Sequence, residues 1–352
     1  MAASKLARKA GDVLARNRQN ALKLAGDDGV AKARKILEQA QRDLKKRLAA
    51  KVRGGLGEDT FTMTQMRATQ AQLRMVIFEL TGELRDVVLE SGMAAAEAAA
   101  GDTITYLLAA DKAFRGVGTT QLALREASMF DAAVQGARSS ILNRLASSGE
   151  PVKNADEKPH KAKLGVLQRY GVETVNHFEK KLQLGMIQGK SWSEMEEDIT
   201  EDSPFLQGAP ASWATRIVRT ECMGAYARSS WEGIRDADEQ LGDMTKILSA
   251  VFDERTGADS FATHGQIRRP EQPFETWYGA LQHPPDRPND RGCVVPHRIS
   301  WPIPKYLEWK TPEQVAARWT LEGHKEKMPE RPEMTTVPLA SFGSKEAPKL
   351  QE

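Results

Sequence analysis

Cysteine is nearly absent from this sequence: Cys222 and Cys293 are the only two in 352 residues. They lie far apart and form no CxxC pair, which disfavours a disulfide scaffold and indicates a reducing compartment such as the cytoplasm. No apolar run approaches the roughly 18 to 20 residues that span a bilayer. The basic N-terminus is followed by no apolar segment of the kind that marks a secretory signal.

A phosphate-binding loop is also missing. Gly54-Gly55-Leu56-Gly57 has neither the lysine nor the preceding strand of a P-loop. Glycine clusters of this kind usually form a hinge between helices. The sequence therefore carries no Gly-rich signature of phosphate binding.

The positive charge is concentrated at the N-terminal end. Residues 1–53 contain 15 Lys and Arg against 5 Asp and Glu, a local charge of +10 in a chain of net charge +2. Ile36, Leu37, Leu44 and Leu48 form one apolar face of a predicted helix there. Such a basic arm typically contacts DNA phosphates or another polyanion, although a solvated lysine-rich helix, an acidic protein surface or a coiled-coil face fits too. The predicted DNA or polyanion contacts are Lys32, Arg34, Lys35, Arg42, Lys45, Lys46, Arg47, Lys51 and Arg53.

Helical periodicity covers most of the chain up to residue 237. The predicted helices span 64–100, 120–146, 164–186 and 212–237, with a break at 26–29 and a linker at 151–162. Ser191 and Glu194 predict a capping box for a further short helix that ends near Thr200.

Short apolar runs with turn signals replace the helical pattern after Gly242. We predict strands at 246–252, 264–268 and 294–301, with a break at Pro296, a Pro-rich loop at 279–292 and a helix at 312–322. The fold class predicted is α+β and predominantly helical, with a long-helix N-terminal half and a compact C-terminal module around a small β-sheet. The predicted regions are a helical region at 1–150 with its basic arm at 1–53, the linker, the α+β module at 163–303, and a partly disordered extension at 304–352.

Polar and aromatic motifs follow one another between residues 216 and 301. In chain order they are Arg219-Thr220-Glu221, Asp253-Glu254-Arg255-Thr256, His264-Gly265, Phe274 with Trp277, His283-Pro284-Pro285 and Asn289-Asp290-Arg291-Gly292-Cys293. This ordered set, over roughly residues 160–303, resembles the signature of the Mu F-like family of phage head-morphogenesis proteins. The chain departs from the family pattern in having Cys293 alone where a pair of cysteines often closes the motif, which weakens a zinc interpretation.

The resemblance implies a non-enzymatic minor head protein that needs no cofactor. Such a protein acts in procapsid and head assembly, inside the virion near the portal, with a role in genome packaging or ejection. The implied partners are the phage portal protein, capsid or scaffold proteins and, non-specifically, packaged double-stranded DNA, with no membrane in the assembled state. The implied location before assembly is the host cytoplasm.

The motif residues themselves predict a structural polar clamp and no catalytic residue. Arg219 and Glu221 lie two apart on a helix and point to different sides, so they can reach separate partners such as the Asp253 carboxylate. Arg255 can make a forked pair with a carboxylate and fix a turn. A small sheet has a thin core and needs such ties. The predicted clamp is Arg219, Thr220, Glu221, Asp253, Arg255, Thr256 and His264.

Enzymatic alternatives remain open at this point. One is a metal-dependent hydrolase or transferase that uses Glu221, Asp253 and His264. Another is a zinc site, for which His264, His283, Cys293 and His297 are weak candidates. A nucleophilic Cys293 beside His264 and Asp253 is a third, but a lone cysteine before a strand is more often a packed hydrophobe.

Two further interpretations fit the sequence less well. One is a fused ADP-ribosyltransferase domain, which is known beside some Mu F-like modules. The sequence after residue 303 is too short to hold such a domain. A DNA-binding protein unrelated to capsids would explain the basic arm but leaves the ordered motifs after residue 210 without a purpose.

Overall fold

The computed structural model describes residues 28–47, 49–50, 63–115, 126–145, 166–202, 209–285, 290–301 and 303–337. Long helices dominate, and a small antiparallel sheet lies in the C-terminal part. The predicted class, α+β and predominantly helical, is confirmed. The predicted linker lies outside the described residues.

Eight α-helices are present in the described ranges. They are α1 (28–47), α2 (Met63–Arg115), α3 (Glu126–Leu145), α4 (Val166–Ile187), α5 (Trp192–Asp202), α6 (Ala209–Leu241), α7 (Ala258–Thr263) and α8 (Pro312–Leu321), with a 3₁₀ turn at Lys305–Leu307.

Two predicted helix limits were wrong. Helix α2 continues past Ala100 to Arg115, because Ile104, Leu107 and Ala110 prolong its buried stripe. The predicted break at 26–29 overlaps the first turn of α1. Gly29 is accommodated there because a Cβ atom at this position would lie only 2.3 Å from Ser91 Oγ, so the close packing itself requires glycine.

The capping box before α5 is confirmed. The Glu194 carboxylate accepts a hydrogen bond from the Ser191 N–H at 2.7 Å, and the Glu194 N–H donates to Ser191 Oγ at 3.4 Å. Helix α8 has a second box, in which Thr311 and Gln314 cap each other's backbone. These reciprocal bonds satisfy N–H groups that the first turn of a helix leaves without a partner.

The main sheet has three antiparallel strands in the order β2-β1-β5, formed by Ile267–Arg268, Met244–Ser249 and Cys293–Arg298. Strands β1 and β5 pair over their whole length, from Met244 opposite Arg298 to Ser249 opposite Cys293. Pro296 does not interrupt β5, because an edge strand tolerates a residue without an N–H group.

A second, two-stranded sheet is the hairpin of β3 (Phe274–Thr276) and β4 (Gly279–Leu281). The prediction of a loop from Gly279 onward was therefore wrong at its start. The predicted strand 264–268 is shorter than expected, because His264 and Gly265 form a turn after α7. Gly265 has a φ of +81°, a conformation that glycine adopts without strain.

The C-terminal extension belongs to the fold as far as residue 337. The Ile267 N–H donates to the Met334 carbonyl at 2.8 Å, and Ile267 forms a parallel bridge with Thr335. Met334 and Val337 are buried. Residues 338–352 lie outside the described ranges, so the predicted partial disorder of the extension stays a prediction.

The described residues fall into two compact units. The sheet unit takes its described residues from Gly92–Ser140 and Arg219–Glu352, and the helical unit takes its own from Gly26–Ser91 and Ile141–Val218. Each unit therefore joins segments from both sides of the predicted linker. In the sheet unit, the Ser229 hydroxyl donates to the Ala96 carbonyl at 2.8 Å and thereby ties α6 to α2.

Candidate functional site

A tight turn follows strand β1 and is built by two side chains of the Asp-x-Arg-Thr motif. The Asp253 carboxylate accepts from the Arg255 N–H at 2.9 Å. The Thr256 hydroxyl accepts from the Asp253 N–H at 2.9 Å and donates to the Val251 carbonyl at 2.5 Å. Such local bonds between side chain and backbone are why Asp and Thr favour turns.

Arg291, in the segment just before β5, closes this turn with a forked ion pair. Its Nη1 and Nη2 atoms lie 2.5 and 2.6 Å from the two oxygens of Asp253, a residue 38 positions earlier. The Arg291 guanidinium, with help from the Arg255 N–H, holds the pKa of Asp253 well below its usual range. The same bond raises the pKa of Arg291.

A second forked pair closes the opposite end of the two strands. Arg298, the last residue of β5, donates from Nε and Nη2 to the Asp243 carboxylate, both at 2.8 Å. The Arg298 side chain is only 3% exposed, whereas that of Arg291 is 25% exposed. The ladder between β1 and β5 is thus bracketed by a guanidinium–carboxylate pair at each end.

His264 lies in the turn after α7 and holds two backbone segments together. Its Nδ1 atom is 3.1 Å from the Ala250 N–H, and its Nε2 atom is 2.9 Å from the Tyr306 carbonyl. A carbonyl can only accept and an amide can only donate, so these partners select the neutral tautomer with the proton on Nε2. The Phe252 ring packs edge-on to this imidazole with centroids 4.5 Å apart.

Helix α8, from the C-terminal extension, ties down the same region from outside the predicted module. Arg318 Nη2 donates to the Glu254 carbonyl at 2.5 Å. Glu322 Oε1 accepts from the Ala258 N–H at 2.8 Å and so caps the start of α7. The module that carries the motifs consequently does not end at residue 303.

The structure brings together only some of the predicted clamp residues. Asp253 and Thr256 share one turn, but Arg255 contributes mainly its N–H, since its guanidinium is 76% exposed and lies 3.7 Å from Asp253. Arg219 is exposed on α6, while Thr220 and Glu221 are buried on that helix.

Sequence reasoning missed Arg291, Asp243 and Arg298 as clamp members. The available signal was their position: each lies just outside or at the end of one of the two long strands, where a charged pair can close a ladder. Arg291 was part of the quoted motif but received no role.

The four zinc candidates have local partners in the fold. His297 bonds Thr245 Oγ1 and the Trp301 carbonyl, both at 3.1 Å, and the His283 Nδ1 atom lies 2.9 Å from the Pro284 carbonyl. Cys293 is buried in β5 opposite Ser249. In the ranges that the structure describes, no three His, Cys, Asp or Glu side chains gather in a way that could hold a metal ion.

Helix α6 carries a buried carboxylate between two arginines. Glu232 contacts Arg228 one turn earlier and Arg235 at 2.8 Å, and its side chain is 5% exposed. Arg228 also stacks on the Trp231 ring at 4.4 Å. Gly136 of α3 makes room for the triad, because a Cβ atom there would lie 2.9 Å from Glu232 Cγ.

The predicted polyanion contacts lie on α1 in the helical unit, except for Lys51 and Arg53, which are outside the described residues. Ala33, Leu37 and Leu44 of α1 are buried. Lys32 is bound to Glu90 at 2.7 Å, a bond that raises its pKa, and Arg42 donates to Gln39 at 2.9 Å. The exposed cations of this helix are Lys32, Arg34, Lys35, Arg42, Lys45, Lys46 and Arg47.

No protein-family model, curated protein or solved structure matches this chain. Among the helices of the described residues, none combines the length and the apolar character that crossing a membrane requires.

Proposed function

We propose that this protein is a structural minor head protein of a bacteriophage, which binds the portal and acts in head assembly. The ordered motifs and their resemblance to the Mu F-like family support the phage assignment. The forked pair between Asp253 and Arg291 supports the structural role, because it joins two of those motifs across 38 residues of chain. The turn that contains Asp253 and the segment that contains Arg291 thus depend on each other, because their ion pair joins the ends of β1 and β5.

The proposal is tested by co-expression with the portal protein encoded in the same genome. We expect a complex that survives affinity purification and size-exclusion chromatography. Two soluble, folded proteins that elute separately at micromolar concentration would contradict the proposal.

The structural role of the motifs is tested with variants of the same pair. Arg291→Gln should weaken portal binding, and the exchange Asp253→Arg with Arg291→Asp should restore it in part, because the exchange re-forms an ion pair in the opposite sense. Lys325→Gln, which removes the same charge from an exposed residue, is the matched control. If Arg291→Gln leaves both fold and portal binding unchanged, the motifs do not act as a clamp.

We also propose that helix α1 contacts packaged DNA without reading its sequence. The support is a docked helix with a buried apolar side and exposed cations on the remainder. Lys32 is the weakest contributor, because Glu90 already binds its ammonium group. Arg34, Lys35, Lys45 and Lys46 are the better candidates for phosphate contacts.

The salt dependence of binding to duplex DNA tests whether these cations contact phosphates or are simply solvated. Each lost phosphate contact reduces the steepness of the fall of log affinity with log salt by about 0.9. Gln at Arg34, Lys35, Lys45 and Lys46 should therefore reduce it by roughly 3.6. The control replaces four exposed cations elsewhere with Gln: Lys180, Lys305, Lys325 and Lys327. Equal losses in both variants would mean that net charge, rather than α1, governs binding.

The alternative of a metal-dependent hydrolase or transferase stays a hypothesis. It would require His264 to give up a backbone partner before it could bind a metal ion or move a proton. Metal content of the purified protein tests it: stoichiometric zinc, removed by a chelator together with an activity, would favour the enzyme.

A further inference from the structure

Two fully buried cations face each other across neighbouring strands of the sheet unit. Lys246 of β1 is paired in register with Arg268 of β2, and both side chains are almost completely excluded from water. Like charges directly opposite in an antiparallel pair repel each other. Buried charges normally have a counter-ion, so this pair needs a specific explanation.

The Lys246 amine has a carbonyl and aromatic rings as its neighbours. Its Nζ atom donates to the Gln282 carbonyl at 2.9 Å and lies 4.8 Å from the centre of the Phe274 ring and 5.9 Å from that of Trp231. Within the described residues no carboxylate lies within ion-pair distance of this amine. The carboxylate nearest to the Arg268 guanidinium is that of Glu275, a half-exposed residue. It lies 3.8 Å from the Arg268 Nη2 atom, at the limit of an ion pair.

Charged groups surround Lys246 on each element packed against it. Helix α6 contributes the Glu232 triad, β2 and its following turn contribute one cation and one carboxylate, β3 contributes a carboxylate, and the segment after β4 contributes an imidazole. These groups are Arg228, Glu232, Arg235, Arg268, Glu271, Glu275 and His283. Strand β5, paired with β1 on its other side, adds His297 and Arg298, and Asp243 already binds Arg298. Arg228 and Arg235 already neutralise Glu232, so no negative charge remains there for the amine.

The result is a lysine that exchanges its proton near neutrality. Burial lowers the pKa of Lys246 to about 7; Glu271 opposes the shift and Arg268 adds to it. An exposed lysine titrates near 10.4. The amine therefore carries much less charge at pH 9 than an ordinary lysine does.

The β3–β4 hairpin covers this amine and is attached to the sheet through side chains. Gln266 donates to the Glu275 carbonyl at 3.1 Å and accepts from the Glu275 N–H at 2.7 Å, and Lys246 holds the Gln282 carbonyl. The backbone ladder of the hairpin runs only between its own two strands. Buried Phe274 is its apolar anchor. Moving the hairpin is the direct way for water to reach the amine.

We propose that Lys246 is a proton-controlled latch: its neutral form keeps the β3–β4 hairpin closed on the three-stranded sheet, and its protonation loosens the hairpin. The opened state, with a hydrated lysine, binds a proton more tightly than the closed state does. Opening therefore becomes more favourable as the pH falls from about 10 toward 7, and the response levels off below that because both states are then protonated. This inference does not depend on the proposed role in phage heads.

Hydrogen exchange of the amides at 274–281 in the full chain tests the latch. After correction for the intrinsic pH dependence of exchange, we expect opening to rise between pH 9 and 7, by up to about tenfold per pH unit. Lys246→Met should remove this dependence and keep the hairpin closed at pH 7. A dependence that persists in Lys246→Met would overturn the proposal.

Two control variants separate this latch from other titrating groups. Lys310→Met removes a half-buried lysine that lies over the Phe252 ring at 4.2 Å, and it should leave the hairpin response intact. His283→Gln removes the imidazole that packs beside Trp231, and it should also leave the response between pH 9 and 7 intact. Loss of the response in His283→Gln alone would assign it to the imidazole and reject Lys246.

A measurement on the unaltered chain covers the case in which Lys246→Met does not fold. With ¹³C-labelled lysine, one side chain should titrate near neutrality in the folded protein. If every lysine titrates above pH 10, the latch does not exist.

Discussion

The two ends of the β1–β5 ladder use the same chemistry in different surroundings. At one end Arg298 is almost fully buried against Asp243, and at the other Arg291 meets Asp253 in a turn that water reaches. Both pairs are forked and both carboxylates precede or follow the same strand. The two carboxylates are similarly exposed, at 30% for Asp243 and 34% for Asp253, so the difference lies in the arginines. Arg298 is buried and depends on its carboxylate, whereas water reaches Arg291, whose pair pH and salt can weaken.

The largest effect is expected from breaking the buried pair. Asp243→Asn leaves the Arg298 guanidinium buried without a counter-charge, which should cost on the order of 3 kcal/mol of unfolding free energy. Denaturant unfolding at pH 7 measures it, with Glu254→Gln as the control of equal charge change on an exposed residue. A cost equal to that of the control would mean that the ladder is not held at this end.

A smaller loss is expected at the exposed end. Arg291→Gln removes the forked partner of Asp253, but water can solvate the carboxylate that is left. The loss in unfolding free energy should be roughly a third of that for Asp243→Asn, or less. If both variants lose the same unfolding free energy, the difference in burial between Arg298 and Arg291 does not affect stability.

Acid should weaken the exposed end selectively. The pKa of Asp253 lies below its ordinary value in the fold, so its contribution is fully present above about pH 4, the unfolded value, and is lost as the pH falls through the folded one. The unfolding free energy of the wild-type protein should therefore fall between pH 5 and 2. In Arg291→Gln it should fall less steeply over the same range. An equal loss of unfolding free energy in the two proteins over this pH range would show that the Asp253 carboxylate is not the group responsible.

The smallest effect is expected at Arg255. Its guanidinium is exposed and 3.7 Å from Asp253, so Arg255→Ala keeps the N–H that holds the turn and should change stability by less than about 0.5 kcal/mol. A thermal melt of this variant beside Arg291→Gln ranks the two arginines of the motif. A larger shift for Arg255→Ala would reverse their roles.

Local signals in the sequence were sufficient for the turn after β1 and for the cap before α5. Asp253 and Thr256 act on backbone atoms within five positions, as do Ser191 and Glu194, so residue type and spacing alone reveal them. The partner of Asp253 could not be found this way, because Arg291 lies 38 positions later in the chain, in the segment just before β5. Arg255 was the nearer cation in sequence, but it faces solvent.

Buried charge was the hardest feature to foresee. All six residues of β1 are buried, so the alternation that normally separates inward from outward positions is missing around Lys246. A lysine in a strand is ordinarily read as solvent-facing. Only the positions of Trp231, Phe274 and the hairpin show that it is not.

The edges of the small sheet limit how copies of this protein can associate. Strand β5 contains Pro296, which offers no N–H group, and β2 is bridged on its other side by the segment at 334–335. A neighbouring molecule that continued the sheet would therefore lack one donor at β5 and would have to displace this segment at β2. Where many proteins are crowded together, such edges guard against strand-to-strand polymerisation and leave side chains to decide which surfaces bind.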